Sequence, residues 1–100
     1  MKNKIISILK KIKDPEININ IYDLGLIYKI NYNNRKKYIY ILMTLTSPFC
    51  PLIDEIILKI KKKIKLKIKN IKTVKIKITF NPPWDKSMIK PKARFELGIF

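Results

Sequence analysis

Apolar and polar positions recur along this chain with two periods, and the changes of period mark its elements. In residues 3–13, Ile5, Ile8, Leu9 and Ile12 fall on one face with lysines opposite, which predicts an amphipathic helix. Pro15 ends it, because the residue before a proline avoids helical geometry. From Asp14 to Gly25, Ile17, Ile19 and Ile21 alternate with polar residues. The alternation reads as a strand, whereas the short span bracketed by Asp14-Pro15 and Gly25 reads as a structured loop. Leu26 to Tyr32 predicts a strand with Leu26, Tyr28, Ile30 and Tyr32 on one face, and Asn33-Asn34-Arg35-Lys36 predicts a turn. Tyr38 to Thr46, rich in β-branched and aromatic residues, completes a hairpin.

Ser47-Pro48-Phe49-Cys50-Pro51 breaks the strand pattern, and from Pro51 the period becomes helical. Leu52, Ile53, Ile56, Ile57, Ile60 and Ile64 form one apolar face, continued by Ile68. Pro51 suits the first helical position, where its missing N–H costs nothing. Asp54 and Glu55 in the first turns and lysines in the second half complement the helix dipole. Val74, Ile76, Ile78 and Phe80 alternate with polar residues as a third strand, ended by Asn81-Pro82-Pro83-Trp84-Asp85. A short helix from Pro91 to Leu97 follows, stopped by Gly98. The order α-β-β-α-β plus a C-terminal helix predicts an α+β fold. It is a two-layer sandwich with helices on one face of a small, mostly antiparallel sheet, formed by one domain over residues 1–100.

Composition changes this picture in two places. No run approaches the roughly 18 apolar residues of a spanning helix. Lysines break the N-terminal apolar run, and no small-residue cleavage site follows it. No membrane partner is therefore expected, and a cytoplasmic location is. The net charge of +16 points at first to nucleic acid or an anionic surface. However, Lys outnumbers Arg 21 to 2, Ile occurs 22 times and Ala once, a skew that an A+T-rich genome imposes on all its proteins. A selected nucleic-acid site would more often use Arg, whose planar fork reads phosphates and bases. A basic nucleic-acid-binding module is thus the alternative, not the leading reading. The Lys59–Lys77 tract keeps its apolar phase and reads as a folded element with a solvated basic face.

The chain has one cysteine and no histidine. A lone Cys forms no intrachain disulfide, in keeping with a reducing compartment. Without His, a zinc finger or a Cys–His nucleophile is excluded within this chain, and no base or cofactor motif argues for an enzyme. Cys50 is expected between a strand and a helix N-terminus, where partial positive charge favours the thiolate that binds iron or attacks an electrophile. The plain alternative is a buried Cys acting as a small hydrophobe. Asp14, Glu16 and Asp23 either line a site or serve turn and cap chemistry. Thr44 and Thr46, on one side of the second strand, either offer hydroxyls beside Cys50 or serve as good strand formers. Trp84 is either a partner anchor or a lid over the sheet edge.

Three segments resemble a known family: DPEININIYDLGLIYKI (Asp14 to Ile30), MTLTSPFCPL (Met43 to Leu52) and NPPWDKSMIKPKARFELGI (Asn81 to Ile99). The family is the metal–sulfur cluster assembly factors, SufT/PaaD-like. The resemblance implies a fold similar to the cluster-assembly domain of NifU-like proteins. It also implies a role in maturing iron–sulfur proteins with the SUF machinery. It places the family's motif cysteine on Cys50 and the Asp of its D-L-G-L motif on Asp23. Its D-P-E motif falls on Asp14, Pro15 and Glu16, its threonines on Thr44 and Thr46, and its arginine before L-G-I on Arg94. Two departures stand out. Lys90 occupies the position of a helix-capping Ser, and Asn18 that of a common Pro.

A cluster usually takes four thiolates, and this chain supplies one. Three arrangements follow for an iron–sulfur cluster or iron as a transient cargo. A homodimer bridges it through two Cys50 residues and exogenous thiols; Cys50 ligates it in passing from a SUF scaffold to a client apoprotein; or the chain is an adaptor that never touches iron. A non-catalytic subunit of a metal-enzyme maturation complex, as in the PaaD branch, is a further alternative. That branch is expected to carry additional C-terminal cysteines.

Overall fold

Tyr38–Met43 alternates half-buried and buried side chains without interruption, as the central strand of a sheet covered on one face does. This strand, β2, pairs antiparallel with β1 (Ile27–Asn33) and parallel with β3 (Thr73–Ile78), so the sheet order is β1-β2-β3. The other elements are helix α1 (Lys2–Leu9), helix α2 (Ile53–Lys67), a single 3-10 turn at Lys86–Met88, and helix α3 (Pro91–Glu96). This computed structural model describes residues 1–14, 17–46 and 53–96. Glu16, Cys50, the predicted helix start at Pro51-Leu52 and the predicted stop at Gly98 lie outside the described residues.

The architecture is the expected small α+β fold, built on one continuous apolar core. Ile5, Ile8 and Leu9 of α1 and Ile56, Ile60 and Ile64 of α2 meet Ile30, Ile39, Ile41, Met43 and Val74 of the sheet. Ile5, Leu9, Ile39, Ile41, Met43, Ile60 and Ile64 are fully buried. Burying one such side chain stabilises by about 1.5–3 kcal/mol, so the stripe on α2 is the chief reason that lysine-rich segment is a helix.

The sheet is evenly mixed, not mostly antiparallel. A strand–helix–strand crossover through α2 returns β3 alongside β2 in the same direction, whereas only the hairpin runs antiparallel. α1 ends at Leu9, not at residue 13. The Lys11 and Ile12 amides bond three residues back, to Ile8 and Leu9, and the Ile12 carbonyl accepts the Ile21 amide at 2.8 Å. Ile12 stays fully buried beyond the helix end.

The stretch that read as strand or loop is a loop closed by a Lys13–Asn20 bridge. Its alternation still buries Ile19 and Ile21 and half-buries Ile17. In β1 the register slips between Ile27 and Lys29. The bulge adds a residue, which puts Ile27, opposite buried Met43, on the core side and removes Tyr28 from the predicted face. β2 ends at Met43, three residues short of Thr46. β3 ends at Ile78, leaving Phe80 exposed; the Asn81 amide turns back onto Thr79 Oγ1 at 3.2 Å.

Candidate functional site

The three segments singled out in the sequence meet around Leu24-Gly25-Leu26. The Leu26 carbonyl accepts the Thr44 amide at 2.8 Å, tying the loop to the end of β2. The Leu24 carbonyl accepts the Trp84 indole N–H at 2.7 Å, and the Asp23 carbonyl accepts the Lys90 amide at 2.7 Å. One residue into β1, the Tyr28 hydroxyl donates to the Pro82 carbonyl at 2.8 Å and lies 3.6 Å from Met88 Sδ. Residues 82–90 therefore form a strap over the Asp23–Tyr28 segment. Gly25 has φ +82°, and a Cβ there would collide with the Met88 carbonyl. Both its conformation and its contact require glycine.

The loop carboxylates hold this junction in shape. Asp14, almost fully buried, accepts the Ile17 amide at 3.0 Å, while its own amide donates to the Ile19 carbonyl. Asp23 and Asn20 bond reciprocally: the Asn20 side-chain amide donates to Asp23 Oδ2 at 2.9 Å, and the Asp23 backbone amide donates to Asn20 Oδ1 at 2.8 Å. These are the turn bonds that Asp and Asn favour. Asp23 also opens on a cavity of about 150 Å³ that it shares with Lys10, Lys13, Asn20 and Lys92. Asn18 has φ +62°, a conformation that proline cannot adopt, which accounts for Asn where the family often has Pro.

Thr44 is fully buried, and its Oγ1 has no hydrogen-bond partner among the described residues. Burying an unpaired hydroxyl costs about 1–3 kcal/mol. Thr46 is half-buried, with buried Leu45 between them, so strand alternation no longer governs their facing. Cys50 lies four residues beyond Thr46 in the sequence and Ile53 begins α2 three residues later. Trp84 is half-buried against the core, and Arg94 is half-buried in α3, its amide bonded to the Lys90 carbonyl. Among the described residues no group of three or more Cys, Asp or Glu is placed to hold a metal ion.

Several contributors have no sequence-level signal as site residues. Met88 and Tyr28 act through contacts 60 residues apart. Lys90, where a capping Ser is common, places its ammonium 5.2 Å from the Tyr22 ring centroid, and Lys10 lies 5.5 Å from the same ring. Each cation–π contact contributes about 0.5–1 kcal/mol, comparable to the lost cap. Beside the strap, the Ser87 hydroxyl donates to Asp85 Oδ2 at 2.7 Å and holds that carboxyl below its ordinary 3.8.

Comparison with known proteins adds what geometry alone does not. The sequence profile of a family described as "Iron-sulfur cluster assembly protein" matches residues 2–78, a span that includes Cys50. The chain is 43% identical over 95 residues to an Fe-S protein maturation auxiliary factor of Porphyromonas gingivalis, covering 95% of this chain and 89% of that one. It is 37% identical over 86 residues to the Fe-S protein maturation auxiliary factor SufT of Staphylococcus aureus, covering 86% and 96%. A crystal structure of a domain of unknown function from Bacillus anthracis superposes with a TM-score of 0.90 at 31% identity, over 98% of this chain and 92% of that one.

Proposed function

This chain belongs to the iron–sulfur cluster assembly protein family, and from that premise we propose that it is a non-catalytic cytoplasmic factor for assembling or delivering iron–sulfur clusters with the SUF machinery. Its cargo is a cluster or iron, held in passing by Cys50 or handed on by the chain acting as an adaptor between scaffold and client apoprotein. The observation that carries this reading is the buried, unpartnered hydroxyl of Thr44 at the junction where all three motif segments converge. Such a group by itself costs the fold stability, which supports a role for Thr44 beyond packing. Thr44 and Cys50 belong to one motif segment, Met43 to Leu52. Asp14, Asp23 and the strap shape the loop against which that segment starts. A single thiolate suits exchange, not storage, because stable ligation uses four.

Anaerobic reconstitution with iron and sulfide, followed by absorption spectroscopy and native mass measurement, tests the ligation route. A labile visible absorbance lost in Cys50→Ala supports ligation through Cys50, and a doubled mass with the absorbance indicates a bridged homodimer. In a host depleted of its own factor, Cys50→Ala is expected to fold normally and to leave cluster-enzyme activity unrestored. Full restoration by that variant would leave only the adaptor route.

A further inference from the structure

Between α1 and α2 runs a groove of about 270 Å³ lined by Lys4, Ser7, Ile8, Lys11, Lys63 and Lys67. Lys4, Ser7 and Ile8 of α1, with Lys11 just past its end, line one wall, and Lys63 and Lys67 stand one turn apart on the other. None of the four lysines is ion-paired among the described residues. Lysines spread by coding skew repel one another least when they are dispersed over a surface. Here four face a single cavity, and no carboxylate lines it among the described residues. By contrast, the cavity beside Asp23 carries its own carboxylate among its lysines.

We propose that this groove is a docking site for a carboxylate-rich, amphipathic segment of a partner protein. Three features select that occupant. Ile8 lines the groove between the lysines, and on α2, outside the lining but one turn from Lys63, Leu66 is 74% exposed. A segment carrying both acidic and apolar side chains satisfies both, whereas a bare polyanion uses only the charge. Among the described residues the lining has no aromatic side chain on which the bases of a single strand would stack. Finally, the site lies on the helical layer, built from side chains that take no part in the hydrogen bonds of the Leu24–Leu26 junction. The proposal gives the partner of the assembly reading a chemistry, but its test involves no cluster and succeeds or fails independently.

The test uses the full chain and a fluorescent 12-residue peptide of alternating Glu-Glu-Leu character, with anisotropy for affinity and amide NMR shifts for location. The peptide is expected to shift amides within residues 4–11 and 63–67. Lys63→Glu/Lys67→Glu is expected to weaken binding by at least about tenfold, on the order of a few surface charge contacts. Lys75→Glu/Lys77→Glu on exposed β3 changes net charge equally and is expected to weaken it no more than about twofold. Lys63→Gln/Lys67→Gln, with its thermal midpoint compared with that of the parent, guards against misfolding and should give an intermediate loss. Equal losses from the two reversed pairs, or shifts spread over the whole basic surface, would overturn the proposal in favour of bulk charge. Tighter binding of a single-stranded oligonucleotide at the same amides would overturn it in favour of nucleic acid.

Discussion

Thr44 and Gly25 lie on either side of one hydrogen bond, that from the Thr44 amide to the Leu26 carbonyl, and they break different rules. Thr44 leaves a hydroxyl unpaired in the interior among the described residues. Replacing it with isosteric valine removes the polar group without opening a cavity. Thr44→Val is therefore expected to raise the thermal midpoint by roughly 4 °C or more, about 1 kcal/mol in a domain this size, while, on the proposed function, its support of cluster-enzyme activity falls. Calorimetry and complementation together check this; a lower midpoint would mean the hydroxyl is satisfied in solution. Gly25 is indispensable for the opposite reason, since no Cβ fits beside Met88. Gly25→Ala is expected to cost more than ~1 kcal/mol and to loosen the strap, seen as faster exchange of the Lys90 amide proton.

At the same scale, Asp85 titrates below 3.8 because the Ser87 hydroxyl bonds its charged form. A depressed folded-state value means its contribution is present above 3.8 and is lost as pH falls through the folded value. Ser87→Ala is expected to move the Asp85 titration upward toward 3.8, read from its side-chain carboxyl carbon by NMR.

Among the elements, α2 is the one whose sequence looks least structured and whose packing is among the most demanding. Its lysines are solvated, while Ile56, Ile60 and Ile64 reach the core at helical spacing. Ile60→Ala is expected to destabilise by about 2–5 kcal/mol, measured by urea unfolding, with the slope unchanged. A loss below 1 kcal/mol would mean that the stripe is not the helix's anchor. The bulge in β1 is the other decisive element. By turning Tyr28 out of the core face it frees the hydroxyl that holds Pro82, so a local irregularity of the sheet fastens a segment more than 50 residues away.

The whole molecule carries +16 on 100 residues, and self-repulsion at that level opposes the compact state. Added sodium chloride is expected to raise the thermal midpoint steeply up to ~0.15 M, where the screening length falls to about 8 Å, and to change it little beyond. A midpoint that falls with salt would indicate that attractive charge pairs dominate instead. The same charge gives the α1–α2 groove its polarity, since the helix packing brings four lysines to one cavity.

The sequence by itself determined the two periods, and with them the helices, the hairpin and the face of α2 that is buried, because period depends only on local backbone geometry and apolar position. The motif segments, read as a resemblance, also pointed to the iron–sulfur assembly family before any contact was known. What only the tertiary structure decided depends on residues far apart in the chain. The parallel return of β3 follows from the crossover through α2. The early end of α1 follows from pairing between Ile12 and Ile21. The exposure of Phe80, the reach of Tyr28 to Pro82 and the unpaired hydroxyl of Thr44 depend on which groups meet in the interior, and hydrophobic patterning does not specify hydrogen-bond partners.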